Sequence, residues 1–296
     1  MRVIFISDLD GTLLGQTDFR FDEIKDAIIE LVATGISLIP ASSKTKPEIE
    51  EFCRSLGVDL PFICENGAAL VNSHLLHPQD GQDSAPTDSH TLGRDPKILL
   101  AEWQNEIPDT LRELCAFLDD METAKQQTIL GLEGEALVRA MDRSHSALFT
   151  FHGTAADFGA LQEQVGKAGL MVQCGGRVCA LSAQHDKASY HHMIRQTMAD
   201  EGNASILVGF GDAPNDVSML QSCDIACVIP RPDSQPLILP EPPQMLVQAE
   251  IAAPLGWLES ARQALDLIEQ KYGEQNGRRI SGWHCCNTAQ FPDKIA

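Results

Sequence analysis

The opening of the chain most strongly constrains its fold. An apolar run of strand length leads into Asp8 and Asp10, two residues apart, and then Gly11. Such a run is typical of a strand buried on both faces of a parallel sheet, and Gly11 permits a tight turn after it. Ligands of open α/β sheets bind beyond the carboxyl ends of strands, so the pattern predicts a site here. Two carboxylates this close repel each other unless a cation lies beside them, and such oxygen ligands suit Mg²⁺.

An Asp-x-Asp sequence at a strand end is often only a solvated turn, so the prediction depends on three further segments. A second apolar run, residues 36–41, ends in small hydroxyl residues beginning with Ser42. Lys187 stands at the start of a helix-like stretch, and a later apolar run ends in a loop that contains Asp212 and Asp216. Each segment alone is a weak signal, but the ordered set indicates a catalytic site.

The ordered set resembles the four motifs of the haloacid dehalogenase superfamily of phosphatases. The matching segments are Asp8-Leu9-Asp10-Gly11-Thr12, Ser42, Lys187 and Gly211-Asp212-Ala213-Pro214-Asn215-Asp216. Within the superfamily, Ser42-Ser43-Lys44-Thr45 followed by Glu65-Asn66-Gly67 is similar to the mannosyl-3-phosphoglycerate phosphatase family. The resemblance extends from Met1 to about Asp224. It implies an α/β fold, with a Rossmann-like parallel sheet core, helices on both faces, and an inserted α/β cap domain.

The domain boundaries follow from changes in composition. Residues 78–96 are rich in polar and turn-forming types, and the stretch after them has its own strand and helix patterns. We therefore expect a core formed by residues 1–75 and 187–270, with a cap of the C2 type formed by residues 76–186. Residues 271–296 show no periodic pattern and are predicted to be a disordered or loosely packed tail.

Apolar spacing predicts the principal helices. We expect helices over residues 21–34, 47–56, 98–118 and 186–199, the third of them interrupted by Pro108.

The resemblance implies a role for each acidic residue. Asp8 would be the nucleophile that forms an aspartyl-phosphate, and Asp10 the general acid and base. Mg²⁺ would be held by the carboxylates of Asp8 and Asp212 and by the backbone carbonyl of Asp10. Asp216 would hold a metal-bound water or orient Lys187, which would neutralise charge in the transition state.

Three of the six substrate-binding candidates are cations. A net charge of −20 means that positive groups must be gathered locally to bind an anionic substrate. Ser42 would donate a hydrogen bond to the phosphate, and Ser43 is a competing candidate for that role. The further substrate-binding candidates are Lys44, Arg143, Arg177 and Asn215.

These features predict a Mg²⁺-dependent phosphoric monoester hydrolase that acts on a small phosphorylated sugar acid. The resemblance favours mannosyl-3-phosphoglycerate as substrate, and hence a role in biosynthesis of the compatible solute mannosylglycerate. The alternatives on the same scaffold are a glucosyl-3-phosphoglycerate phosphatase, a sucrose-phosphate-type phosphatase or a phosphomannomutase-like enzyme. A receiver-like signalling domain also uses acidic residues, a hydroxyl and a lysine, but it needs only one small domain.

Charge and cysteine content bound the partners and the compartment. The acidic surface opposes binding to nucleic acid and to anionic membranes, and no apolar run is long enough to span a bilayer. The first residues lack the pattern of a secretory signal. There are nine cysteines, an odd number, with no Cys-x-x-Cys pair. We therefore expect a reducing cytoplasm and no disulfide framework, and the oligomeric state stays open.

Overall fold

A computed structural model describes residues 1–76, 89–175, 177–232 and 234–276. The strands within these residues are β1 (Arg2–Ser7), β2 (Ser37–Pro40), β3 (Phe62–Cys64), β4 (Ala69–Val71), β5 (His90–Thr91), β6 (Cys115–Phe117), β7 (Ser146–Phe151), β8 (Leu170–Cys174), β9 (Cys179–Ala183), β10 (Ser205–Gly211), β11 (Ile225–Val228) and β12 (Met245–Gln248). The helices are α1 (Lys25–Ala33), α2 (Lys46–Leu56), α3 (Pro96–Glu106), α4 (Asp109–Arg112), α5 (Thr123–Leu130), α6 (Gly134–Met141), α7 (Ala155–Lys167), α8 (His191–Asp200), α9 (Val217–Ser222) and α10 (Leu255–Asn276).

The core is a five-stranded parallel sheet with the strand order β12-β11-β10-β1-β2. The last residue of β1, Ser7, is opposite Phe210 of β10 and Pro40 of β2. The carboxyl ends of these three neighbouring strands are therefore aligned. The residues that follow them, among them Asp8, Ser42 and Asp212, emerge at one edge of the sheet.

Helices cover both faces of this sheet. Val3 and Phe5 of β1 belong to one buried cluster with apolar residues of α1, α2 and α10. Ile4 and Ile6, which point the other way, belong to a second cluster with apolar residues of α8 and α9. The expected α/β fold with a parallel sheet and helices on both faces is confirmed.

A second, antiparallel sheet is inserted in the chain between β5 and α8. Its order is β6-β7-β9-β8, and α3 and α7 pack on one of its faces around Trp103 and Phe149. The neighbouring residue of β7, Leu148, points to the opposite face, which lines a cleft against the core. We call residues 96–183 the cap module. A small antiparallel sheet, β3-β4-β5, stands next to the core sheet, to which Ala41 and Ile63 join it through an isolated parallel bridge.

Three of the predicted helices have clearly different bounds in the structure, and the first of them, expected over 21–34, spans Lys25–Ala33. The helix expected over 98–118 ends at Glu106, because Pro108 has no N–H to continue it; Cys115–Phe117 instead pairs with β7 as a strand. The helix expected from Asp186 begins only at His191. The Asp186 carboxylate accepts the amide of Ala188, which stabilises a turn before the helix.

The C-terminal part of the fold also differs from expectation. Helix α10 continues to Asn276, so residues 271–276 are helical rather than disordered. The rest of the predicted tail, residues 277–296, lies outside the described residues, as does most of the expected polar loop over 78–96. Although α10 is 22 residues long, no helix in the described ranges combines the length and apolar character needed to cross a bilayer.

One cysteine pair contradicts the expectation that the chain has no disulfides. Cys174 and Cys179 are bonded, with their Cα atoms 3.9 Å apart. They are cross-strand partners at the ends of β8 and β9, so the hairpin brings them together although their spacing is not a Cys-x-x-Cys motif. Among the other described cysteines, Cys53, Cys64, Cys223 and Cys227 are free and buried.

Candidate active site

Asp8 is held at the end of β1 by a buried hydrogen-bond network. Its amide donates to the carbonyl of Phe210 at 3.0 Å, which extends the strand pairing by one residue. The hydroxyl of Ser7 donates to the Asp8 carbonyl at 2.7 Å and accepts the indole N–H of Trp257 at 3.0 Å. The backbone of Asp8 is thereby bonded to β10 and, through the Ser7 hydroxyl, linked to α10.

Lys187 lies between two of the predicted site carboxylates. It is fully buried, and its ammonium donates at 2.6 Å both to Asp8 Oδ1 and to Asp216 Oδ1. Burial lowers the pKa of Lys187, but the carboxylates of Asp216 and Asp8 outweigh this effect, and the pKa is raised well above its usual value. Lys187 therefore places a permanent positive charge beside Asp8.

The acidic loop after β10 is shaped by its own aspartates. Asp216 Oδ2 accepts the amides of Asp212 and Ala213, both at 3.0 Å, and Asp212 Oδ1 accepts the hydroxyl of Thr12 at 2.7 Å. Gly11 has a φ of +83°, and a Cβ there would lie 2.7 Å from Asp212 Oδ2. Glycine is therefore required where the two acidic loops meet.

The carboxylates of Asp8, Asp212 and Asp216 form a set that fits a divalent cation. One oxygen of each lies within 4.8 Å of the others, and all three residues are buried. Burial raises the pKa of Asp8, against the opposing effect of Lys187, and it also raises the pKa of Asp212. Because buried carboxylates without enough positive charge are unfavourable, a cation would stabilise the ionised set, and all-oxygen donors suit Mg²⁺. The side chain of Asp10 is not part of this set.

Asp10 instead pairs with Lys44. The Lys44 ammonium is 2.8 Å from Asp10 Oδ2 and 3.8 Å from Glu48 Oε1, and it lies 5.1 Å from the ring centroid of Phe19. Burial lowers the pKa of Lys44, but Asp10 and Glu48 raise it on balance. The second oxygen of Asp10, Oδ1, is buried and has no hydrogen-bond partner in the described structure. Lys44 is thus next to the candidate general acid rather than free to bind a distant substrate group.

The two serine candidates differ in exposure. Ser42 is buried, and its hydroxyl accepts the amide of Lys44 at 3.3 Å, whereas Ser43 lines the cleft between the core and the cap module. Asn215 also lines this cleft, and its amide donates to Asn66 Oδ1 at 3.3 Å.

The cleft has a volume of about 700 Å³ and carries many cations for so acidic a protein. Its cationic lining residues are Lys44, Arg139, Arg143, Arg177 and Arg231. Its apolar walls include Leu14, Phe19, Phe52, Leu130, Leu148 and Val178. Its acidic lining residues are Asp10, Glu48 and Glu51, so the five cations exceed the acids by two. The space and the remaining positive charge suit an anionic ligand larger than phosphate alone.

The two arginines predicted to bind substrate, Arg143 and Arg177, both line the cleft, and both also donate hydrogen bonds to other parts of the protein. Arg143 donates from Nη2 to the carbonyl of Ser43 at 2.8 Å and from Nε to the hydroxyl of Ser146 at 2.7 Å. Arg177 donates from Nη1 to the carbonyl of Leu130. Part of the hydrogen-bonding capacity of each guanidinium is therefore used within the fold.

Three site residues were not identified as site residues from the sequence. Arg231 forms an ion pair with Asp212, Thr12 donates to the same carboxylate, and Glu65 contacts the cap module. Arg231 follows β11, a neighbour of β10 in the parallel sheet, so the rule that located Asp8 and Asp212 could also have found it.

Comparison with known proteins agrees with this geometry. Residues 5–82 match the family model described as haloacid dehalogenase-like hydrolase. A protein named glucosyl-3-phosphoglycerate/mannosyl-3-phosphoglycerate phosphatase from Persephonella marina is 28% identical over 278 residues, which are 90% of this chain and 99% of that protein. A protein of the same name from Methanococcoides burtonii is 26% identical over 269 residues, 87% of this chain and 95% of that protein. The resemblance inferred from the sequence motifs is confirmed.

Solved structures agree with the fold. A phosphatase of the haloalkanoate enzyme superfamily from Bacteroides thetaiotaomicron superposes with a TM-score of 0.62 at 15% identity, over 90% of this chain and 96% of that chain. At this identity the match supports the architecture alone.

Proposed function

We propose that this chain, a haloacid dehalogenase-like phosphatase, removes the phosphate from a glycosyl-3-phosphoglycerate, with mannosyl-3-phosphoglycerate as its best substrate. The observation that carries the proposal is the buried Lys187 between Asp8 and Asp216. The nearby residues Asp10 and Asn215 line a cleft that also contains five cations. The names of the two relatives support the choice of substrate class.

Asp8 is the nucleophile in this proposal. Its carboxylate oxygen attacks phosphorus, and the bond from phosphorus to the substrate oxygen breaks, which leaves an aspartyl-phosphate that water then hydrolyses. Lys187, at 2.6 Å from Asp8, stays protonated throughout because its pKa is raised. Its fixed charge stabilises the negative charge of the transferring phosphoryl group.

Asp10 is the general acid and base in this proposal. As the bond to the substrate oxygen breaks, its carboxyl group gives that oxygen a proton, and in the second step it takes a proton from the attacking water. Lys44, 2.8 Å from Oδ2, orients the Asp10 carboxyl group toward the cleft.

A magnesium ion would be held by the Asp8 and Asp212 carboxylates together with the Asp10 backbone carbonyl. Asp216 would support it while also binding Lys187. When bound, the ion supplies positive charge that offsets repulsion between Asp8 and an anionic phosphate.

The cleft cations divide between the two anionic groups of such a substrate. Lys44 and the serines lie near Asp10, at the phosphate end. We assign the substrate carboxylate to the cap arginines Arg177 and Arg143, the latter through the N–H groups that its hydrogen bonds to Ser146, Ala140 and Ser43 leave over. The product would be a glycosylglycerate, which fits a role in compatible-solute synthesis. A cytoplasmic location stays a prediction.

The test is a comparison of kcat/KM for phosphate release, with Mg²⁺ present, from mannosyl-3-phosphoglycerate, glucosyl-3-phosphoglycerate and mannose 6-phosphate. Loss of a carboxylate bound by a charged pair costs roughly 2–5 kcal/mol, so the neutral sugar phosphate should be about 30-fold worse or more. Asp8→Asn is the control without a nucleophile and should release no phosphate. Equal kcat/KM on mannose 6-phosphate would refute the assignment of the substrate. Isomerisation with little phosphate release would refute the assignment of hydrolase activity.

A further inference from the structure

Glu65 of the core contacts the cap module through three hydrogen bonds. Its Oε1 accepts the amide of Ser144 at 2.9 Å, and its Oε2 accepts the amide of His145 at 3.2 Å and the hydroxyl of Ser146. The Glu65 side chain is only 1% exposed. A buried carboxylate of the core thus takes nearly all of its hydrogen bonds from one loop of the cap, residues 143–146, which we call the docking loop.

The docking loop returns to the core at a second point. Arg143 Nε lies 3.6 Å from Glu65 Oε2, which partly balances the buried charge, and Arg143 Nη2 donates to the carbonyl of Ser43 at 2.8 Å. The docking loop therefore contacts both Glu65 and the serine loop that lines the phosphate end of the cleft.

The turn that carries Glu65 is held in an unfavourable backbone conformation. Glu65, Asn66 and Gly67 have φ values of +46°, +56° and +100°, a region that is uncommon for glutamate, although asparagine and glycine adopt it more readily. The amide of Glu65 donates to the carbonyl of Lys44, and that of Asn66 to the carbonyl of Ser42, both at 2.9 Å. The turn is thus built into the loop that follows β2.

Gly67, in the same turn, packs closely against Asp186, where the chain leaves the cap module for the core. A Cβ at Gly67 would lie 1.9 Å from the carbonyl oxygen of Asp186, next to Lys187. The Glu65 turn therefore contacts the serine loop, the docking loop and the segment that carries Lys187.

We propose that Glu65 is a positioning residue that couples closure of the cap module to the geometry of the Ser42–Lys44 loop. In the closed state Glu65 is satisfied by the docking loop and Arg143. If the cap module separates from the core, water hydrates the Glu65 carboxylate and the Arg143 guanidinium. Neither the closed nor the open state then leaves one of these charges buried without a partner. The contact is thus a reversible one that sets the closed population, and its consequence for turnover rests on the proposed function.

Hydrogen exchange tests the contact without any assay of activity. In Glu65→Gln, an N–H₂ group replaces one of the two carboxylate oxygens. An N–H₂ group donates hydrogen bonds and does not accept them, so the docking-loop donors that face it lose their acceptor. The remaining oxygen is uncharged and accepts more weakly. The amides of Ser144 and His145 should exchange about ten- to a hundredfold faster than in the wild type. The control is Glu163→Gln, which removes a charge paired with Lys167 on the surface of α7. Unchanged exchange at Ser144 and His145 in Glu65→Gln would overturn the proposal, as would a uniform increase throughout the chain.

Kinetics separate positioning from general structural support. With Glu65→Gln, the loss of kcat/KM on mannosyl-3-phosphoglycerate, which must contact the cap, should be about tenfold larger than the loss on p-nitrophenyl phosphate, and it should arise mainly in KM. Equal losses on the two substrates would overturn the coupling. Should no glycosyl phosphoglycerate be hydrolysed by the wild type, the proposed substrate fails, while the exchange result still decides the docking contact.

A second variant covers the case in which Glu65→Gln does not fold. Ser146→Ala removes one donor from the cap side and leaves the Glu65 backbone untouched. We expect exchange at His145 to become about threefold to tenfold faster, because the hydrogen bonds from Ser146 to Glu65 and from Arg143 to Ser146 are both absent. Wild-type exchange at His145 in this variant would contradict the proposal.

Discussion

Replacement of Lys187 by methionine tests whether the buried ammonium holds the acidic site together. Lys187→Met keeps a side chain of similar length but removes two 2.6 Å hydrogen bonds, to Asp8 and Asp216. Removing one partner of a buried ion pair typically destabilises a protein by about 3–5 kcal/mol, because the remaining charge stays buried. We expect the free energy of unfolding in urea, measured with EDTA present, to fall by this amount.

The same variant should change how stability depends on pH. Burial raises the pKa of Asp8, and Lys187 opposes that rise, so without the ammonium the pKa rises further. A carboxyl group whose folded pKa exceeds its unfolded pKa binds its proton more tightly in the folded state. Stability then increases as the pH falls toward the unfolded pKa. The deficit of Lys187→Met relative to wild type should therefore be smaller at pH 5 than at pH 8.

The matched control is Lys167→Met, on the exposed face of α7. Lys167 is 2.7 Å from Glu163, but its side chain is 60% exposed, so the change should be at most about 0.5 kcal/mol. Added Mg²⁺ should restore part of the stability of Lys187→Met, since the site carboxylates regain a cation. If Lys187→Met and Lys167→Met unfold with the same free energy in EDTA, the assignment of Lys187 as the balancing charge is wrong.

Two further predictions concern other charged groups. Burial lowers the pKa of His191 to about 4. Between pH 6.5 and 4 this imidazole therefore binds a proton in the unfolded state but not in the folded state. Stability should therefore decline by up to about 3 kcal/mol between pH 6.5 and 4, and thermal unfolding should show that His191→Gln removes this slope whereas His192→Gln, at an exposed site, keeps it. Arg231→Ala should strengthen Mg²⁺ binding about two- to tenfold in a calorimetric titration, because the guanidinium no longer competes with the ion for Asp212. The control is Arg195→Ala, which removes an ion pair with Asp224. Weaker Mg²⁺ binding in Arg231→Ala would contradict this competition.

Much of the core could be predicted because its signals are local. The apolar run of β1 indicates a strand buried on both faces, and the strand–helix–strand pattern that follows favours a parallel pair. Parallel strands bring their carboxyl ends to one edge, so Asp8 and the Asp212 loop were expected together although they are far apart in sequence. The aligned register of β1 and β10 is the structural basis of that expectation.

Elements decided by distant partners were predicted less well. Cys115–Phe117 follows a helix-like stretch, and only its pairing with Phe149–Phe151 makes it a strand. Met245–Gln248 was not expected as a strand, because its signal is short and its structure comes from pairing with β11. The disulfide between Cys174 and Cys179 likewise depends on the register of one hairpin.

The sequence by itself determined that Asp8, Ser42 and Asp212 stand at one edge of the sheet, since strand and turn patterns are properties of neighbouring residues. Only the tertiary structure decided which charges pair there. Lys187 lies 179 residues from Asp8, Lys44 pairs with Asp10 and Glu48, and Arg143 binds the core. Long charged side chains take their partners from whatever groups folding brings within a few ångströms, and burial then determines how strongly each pair interacts.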